Sequence, residues 1–303
     1  MEFKTMIDVS FSAIDEGAAV SWPHSTMVFS GGEVQVRMAE TPVDLRNQSV
    51  RITAILRNAA EIMELLLVTD AVRRKLEVWT EHPEIHLVCP YFPYARQDRV
   101  CAPGEAFSLE VMAHLINAAH YTSVEVWDVH SHVTLAKLDR CINVTADVLI
   151  PQFAIKNDII VAPDKGAVER ATLVARRFGR PMVLAEKDRD PSNGKITRTY
   201  LPHRRDENGV WITDPRLDDE INLRSDVDFF IADDICDGGA TFIELAKVLR
   251  PLTTGKIKLW VTHGIFFKGF DVFAGLIDEI YTANCYRSDV PDFVHVGFND
   301  NLN

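Results

Sequence analysis

The chain reads as an α/β protein of two domains, each a mostly parallel sheet flanked by helices. Three observations carry that reading. Short, β-prone apolar runs recur at residues 85–89, 158–161, 181–185, 229–232 and 256–261, each the size of a buried parallel strand. Between them, residues that suit a core repeat at helical spacing: Ile62, Leu65, Leu66 and Thr69, then Ala171, Val174, Ala175 and Phe178, then Phe242, Leu245, Ala246 and Leu249. Finally, 303 residues suffice for two ordinary cores, and the pattern restarts near residues 145–151. The predicted domains are residues 1–148 and 149–303.

Composition narrows the classes. A hydrophobic content of 47% with 25% charged residues is that of a soluble globular protein. No apolar run approaches membrane-spanning length and no basic, apolar leader opens the chain, so a cytoplasmic protein without a membrane partner is expected. The net charge of −12 argues against nucleic-acid binding through a basic face. Five scattered cysteines without a Cys-x-x-Cys pair indicate neither a disulfide frame nor a zinc site. Cys236 has no sequence-local partner to activate its thiol.

Taken in order, residues 26–38 read as two short strands meeting at Gly31-Gly32, a hairpin signal. Val34, Val36 and Met38 alternate with Gln35 and Arg37, which predicts one buried and one wet face. A strand is expected near residues 50–56 and a helix over 58–78. The run at 85–89 enters the loop Pro90-Tyr91-Phe92-Pro93-Tyr94-Ala95-Arg96-Gln97-Asp98-Arg99, which its prolines stiffen. A stiff loop loses less entropy when Arg96 and Arg99 must hold still to clamp an anion. Residues 124–131 read as a strand ending in Asp128 and His130.

The second half repeats the alternation. Pro163-Asp164-Lys165-Gly166-Ala167 is a turn before a helix. Residues 186–195, charged and carrying Asn193-Gly194, read as an exposed hairpin, and 202–224 as a further hairpin and loop. The run at 229–232 closes on Asp233-Asp234 and continues Ile235-Cys236-Asp237-Gly238-Gly239-Ala240-Thr241 into a helix. Strand, glycine turn and helix start together aim backbone N–H groups and a helix dipole at one spot, which suits phosphate. The paired acids suit something else, a sugar diol or a divalent metal. Residues 256–261 run into Thr262-His263-Gly264, and 290–303 are expected to return to the first half.

These segments resemble one family. Asp233 to Thr241 is similar to the ribose-phosphate loop of the phosphoribosyltransferase-type fold, with Gly238 where that loop has its first Thr. Residues 90–99 resemble, nearly letter for letter, the signature loop of the ribose-phosphate diphosphokinases, the phosphoribosyl pyrophosphate synthetases. The matched segments span roughly residues 26–290 and sit at the carboxyl ends of strands, where open α/β sheets bind ligands. The resemblance implies two phosphoribosyltransferase-like domains, with nucleotide-side loops in the first and the ribose-phosphate and flexible catalytic loops in the second. It implies transfer of the β,γ-diphosphoryl group of ATP to the 1-hydroxyl of ribose 5-phosphate, with Mg²⁺ as cofactor. A homo-oligomer, dimer or hexamer, is implied in the same way.

Carried over residue by residue, Phe29, Glu33, Arg96, Gln97, Asp98 and Arg99 bind nucleotide. Phe29-Ser30-Gly31-Gly32-Glu33 is similar to the family hairpin but has Gly31 for its Asp. His130 and Asp164 match metal positions, with Lys165 and Ala167 departing from the family beside the second. Lys187 and Arg189 match the catalytic loop, where Asp188 replaces the middle Arg and lowers the local positive potential. Asp233 and Asp234 hold the ribose hydroxyls, and Asp237, Gly238, Gly239, Ala240 and Thr241 the 5-phosphate. The tail does not match, so family regulation by phosphate and ADP does not carry over.

Gly238 leaves a second acceptor open, a ribose phosphate substituted at its 5-phosphate such as ADP-ribose, because a diester needs fewer donors and more room. A non-catalytic regulatory subunit is a further alternative, opposed by Lys187, Arg189, His130 and Asp164. A simple phosphoribosyltransferase is opposed by the Arg96-to-Arg99 loop.

Overall fold

The computed structural model describes residues 6–13, 19–41, 45–46, 48–189, 196–201, 204–205, 211–212 and 226–297. The chain divides into two compact units, Met1–Val144 and Thr145–Asn303. The first contains β1 (Ile7–Ala13), β2 (Val20–Ser21), β3 (His24–Val28), β4 (Val34–Met38), β5 (Gln48–Ala54), α1 (Ala59–Leu76), β6 (Glu84–Val88), α2 (Ser108–Ala118), β7 (Ser123–Trp127), α3 (His132–Lys137) and β8 (Cys141–Val144). Its sheet runs β2-β1-β5-β6-β7-β8, parallel from β5 onward, with β1 and β2 antiparallel at one edge. β3 and β4 form a separate hairpin, as their turn and alternation predict.

Helix α1 begins where the Asn58 side chain accepts the Glu61 N–H, one of the orphan donors of a helix start. Arg73, Arg74 and Lys75 fill its last turn and face the negative end of its dipole. Of the predicted stripe, Ile62, Leu65 and Thr69 are buried and Leu66 half-buried. Leu65, Val68 and Val72 join Val50, Ile52, Ile85, Leu87 and the α2 residues Leu109 and Met112 in one core.

The second unit contains α4 (Ala146–Leu149), β9 (Ile159–Ala162), α5 (Val168–Phe178), β10 (Met182–Leu184), β11 (Glu186–Arg189), β12 (Ile196–Tyr200), β13 (Arg204–Arg205), β14 (Trp211–Ile212), β15 (Phe229–Cys236), α6 (Ala240–Leu249), β16 (Ile257–Gly264), β17 (Glu279–Cys285) and β18 (Val294–Val296). Its sheet, β10-β9-β15-β16-β17-β18, is parallel throughout. β15 and β16 lie at its centre, and every residue of β16 is buried. That burial on both faces is why their sequences read as apolar runs and not as alternation. Phe242, Leu245, Ala246 and Leu249 of α6 pack with Phe229, Ile231 and Leu259 in the core. β11 pairs antiparallel with β12, and β13 with β14. The tips of both pairs, and most of residues 202–224, lie outside the described residues.

The tail corrects one expectation. Residues 294–296 do not return to the first half but pair with β17, Ile280 opposite Val294. The β17 backbone is almost wholly buried, so its second edge needs hydrogen-bond partners, and β18 supplies them.

The amino-terminal edge of this sheet is tied by buried charge. The Lys258 Nζ sits 2.8 Å from Asp158 Oδ1 and 3.1 Å from Asp228 Oδ2, joining the starts of β9, β15 and β16. Backbone N–H groups of Lys156 and Lys256 donate to the same two carboxylates, each at 2.7 Å. Burial works against the Lys258 ammonium, but the carboxylates outweigh it and lift its pKa above the ordinary value. Removing one member of such a group strands the rest in low dielectric. Lys258→Met is expected to lower the unfolding free energy by about 3 kcal/mol, measured as a lower midpoint in urea.

Candidate active site

The carboxyl end of β15 carries Asp233 and Asp234, and α6 starts a few residues later. Gly239 precedes the helix at φ 78°, and a Cβ there would sit 2.7 Å from the Phe273 ring. Backbone conformation and the neighbouring aromatic therefore both require glycine. No side chain caps α6 at its start. Its N-terminal amides and dipole are thus arranged as in an anion site. Asp237 and Ala240 are exposed, Gly238 and Thr241 half-buried.

Behind the carboxylates stands Arg170 of α5, nearly buried. Its Nη1 is 3.3 Å from Asp233 Oδ1 and 4.0 Å from Asp234 Oδ1. The Asp234 N–H also donates to Asp233 Oδ1 at 2.9 Å. Burial, and then the Asp234 charge, push the Asp233 carboxyl well above the ordinary range, while Arg170 opposes them. Asp164 adds to the same repulsion, which places it in the electrostatic reach of Asp233. It holds the turn before α5 by accepting the Gly166 N–H at 3.0 Å. Two adjacent carboxylates and one guanidinium therefore meet at this edge, with Asp164 acting on them at longer range. Cys236 lies beneath, its thiol buried and pushed up in pKa by that burial, which leaves it no nucleophile.

In the first unit, the loop after β6 separates anchoring from presentation. Phe92 and Ala95 are buried in the core, while Arg96, Gln97 and Arg99 are exposed. Tyr94 takes φ 63°, and the Gln97 N–H donates to its carbonyl at 2.9 Å, turning the chain outward. Asp98 is paired with Arg99 at 3.3 Å. His130 is exposed just past β7, next to Ser131, whose side chain caps α3 by accepting the Val133 N–H. Phe29 and Glu33 close the β3–β4 hairpin, the Phe29 N–H donating to the Glu33 carbonyl at 2.8 Å, and both are exposed. Lys187 and Arg189 lie on β11, with Lys187 opposite Thr199 and a register shift between Asp188 and Arg189. Their side chains are outside the described residues.

Among the described residues, no three His, Cys, Asp or Glu side chains group closely enough to hold a metal by themselves. Mg²⁺ usually takes only one or two protein carboxylates, with phosphates and water completing its shell. The donor types fit that mode, since the carboxylate of Asp164 lies among mutually repelling acids whose repulsion a divalent cation would relieve. Arg170 was not singled out in the sequence. Its signal was there, four residues before Val174 on the buried side of α5, where an arginine needs an acidic partner. That partner also generates a pH prediction. Activity that needs the Asp233 anion falls as pH drops through its raised pKa. Arg170→Met removes the opposing cation, so the acid limb of the pH–rate profile should move to higher pH, and Arg170→Lys should move it less.

Residues 17–119 match the N-terminal domain of ribose phosphate pyrophosphokinase, and residues 135–268 the phosphoribosyl transferase domain. A ribose-phosphate pyrophosphokinase of Mycoplasmopsis pulmonis is 29% identical over 85% of this chain and 74% of its own length. One from Thermococcus kodakarensis is 30% identical over 76% of this chain and 75% of its own. The crystal structure of phosphoribosylpyrophosphate synthetase from Mycobacterium smegmatis shares the fold, with a TM-score of 0.70 at 20% identity over 91% of this chain and 86% of that one. With the acidic strand tip, the glycine turn and the arginine loop all in place, the chain belongs to the ribose-phosphate pyrophosphokinase family.

Proposed function

We propose that the protein moves the β,γ-diphosphoryl group of ATP to the anomeric 1-hydroxyl of ribose 5-phosphate, giving phosphoribosyl pyrophosphate and AMP. The observation that supports this most is the Asp233-Asp234 pair followed by a glycine turn and an uncapped helix start, in a chain of this family. In this reading the second unit takes the acceptor and the first the nucleotide. Asp233 and Asp234 accept hydrogen bonds from the ribose 2- and 3-hydroxyls, and Arg170 opposes the burial and repulsion that raise the Asp233 carboxyl. Backbone amides from Asp237 to Thr241, with the Thr241 hydroxyl, receive the 5-phosphate.

The 1-hydroxyl oxygen attacks the β-phosphorus in line. The bond from that phosphorus to the oxygen shared with the α-phosphate breaks, AMP leaves with the electron pair, and the hydroxyl proton passes to solvent. Arg96, Arg99, Lys187 and Arg189 offset charge on the transferred group. Phe29, Glu33, Gln97 and Asp98 hold the rest of the nucleotide. Mg²⁺, held by His130 and Asp164, would neutralise phosphate charge when bound. The exposed apolar tip of the β3–β4 hairpin, Met27, Val28 and Phe29, supports docking on a second copy within a cytoplasmic dimer or hexamer.

An acceptor substituted at its 5-phosphate depended on room at Gly238. The stem of Lys268 borders that space, and the relatives' name, ribose-phosphate pyrophosphokinase, favours the free 5-phosphate. Purified protein with ATP and Mg²⁺ is expected to release AMP when ribose 5-phosphate is added, and AMP release with ADP-ribose alone would overturn this acceptor. Lys187→Ala should lower kcat about 100- to 1,000-fold. Unchanged AMP production by that variant removes the catalytic assignment.

A further inference from the structure

We propose that Lys268 is a specificity-determining residue that sets an ammonium beside the 5-phosphoryl group of the ribose acceptor, at the point where the loop lacks a side-chain donor. The inference rests on the acceptor reading above. Its basis is the turn that leaves β16. The N–H groups of Ile265 and Phe266 donate to the Cys236 carbonyl at 2.9 and 3.1 Å, and that of Phe267 to the Asp237 carbonyl at 2.9 Å. These bonds strap the turn to the glycine loop. Phe266, buried against Phe270 and Phe273 with ring centroids 4.8 and 6.0 Å away, fixes it from below. Phe267 and Lys268 are left on the exposed side.

From there the Lys268 stem runs along Gly238. A Cβ on Gly238 would lie 3.8, 3.6 and 3.4 Å from Lys268 Cγ, Cδ and Cε, so the stem passes alongside Gly238 and carries its charged end past it. The ammonium is one bond beyond the nearest atom. A Cβ at position 238 would touch this stem in ordinary contact, and a longer side chain would have to share the space with it. Charge makes the arrangement useful. The strand tip and loop carry Asp164, Asp233, Asp234 and Asp237, and the Arg170 guanidinium is already engaged by two of them. An anionic phosphoryl group at the α6 N-terminus meets that acidic surround, and the cation at the end of the stem that passes Gly238 offsets it. A dianionic terminal phosphate gains more from it than a phosphodiester does.

The test compares wild type with Lys268→Ala and Lys268→Arg, measuring AMP release at saturating ATP against ribose 5-phosphate, ADP-ribose and unphosphorylated ribose. In Lys268→Ala the KM for ribose 5-phosphate should rise about 10- to 100-fold, with kcat and the KM for ATP within twofold. Lys268→Arg should recover most of the loss, and turnover of ribose should not change. If wild type uses ADP-ribose instead, the same rise in its KM supports the cation and corrects the acceptor. An unchanged KM for whichever acceptor is used overturns the role of Lys268. Should wild type release no AMP with any acceptor, the reaction assigned above fails, and calorimetric titration of the same three compounds decides the lysine separately. Weaker binding of a phosphorylated sugar to Lys268→Ala supports it. Equal binding to both proteins, or none to either, overturns it.

Discussion

The contact on which the second unit's chemistry depends is the Arg170 guanidinium set beside Asp233 and Asp234 at the tip of β15. Two adjacent carboxylates at the end of a buried strand repel each other in a medium that screens them poorly. One cation stands beside both, at 3.3 and 4.0 Å. The result is a pair in which the Asp233 carboxyl stays raised although the guanidinium opposes the repulsion. Sugar hydroxyls and a hydrated divalent cation are what such a pair accepts.

The same sheet provides its own control at the opposite edge. Lys258 also lies between two carboxylates, but each acid there receives a backbone N–H as well, and the ammonium is stabilised above its ordinary pKa. At the carboxyl edge the balance falls the other way, and Asp233 is raised. A carboxyl raised in the folded state favours folding while protonated, a contribution present at low pH and lost as pH rises through the folded pKa. At neutral pH the acidic tip therefore works against the fold and the lysine cluster for it. That is the division expected when one edge is structural and the other kept ready for a ligand.

Much of this was legible in the sequence because it is local. Buried parallel strands write themselves as apolar runs, Asn58 stands at a helix start, and Gly239 sits in the turn that its own dihedral angle requires. The long-range parts were not legible. Arg170 meets acids more than sixty positions later in the chain. Lys268 reaches Gly238 only because a turn after β16 is hydrogen-bonded onto a loop after β15. The pairing of β18 with β17 escaped for the same reason, since a three-residue strand carries too little pattern to name its partner. Gly238 shows the difference most directly. By itself it reads as empty space, and in the fold that space is lined by another residue's methylenes.

The arginine loop of the first unit has a consequence of its own. Phe92 and Ala95 bear the packing, while Arg96, Gln97 and Arg99 point to solvent. Stability and recognition are thereby written on interleaved but separate positions. The inward residues cannot drift without loosening the platform that carries the outward side chains.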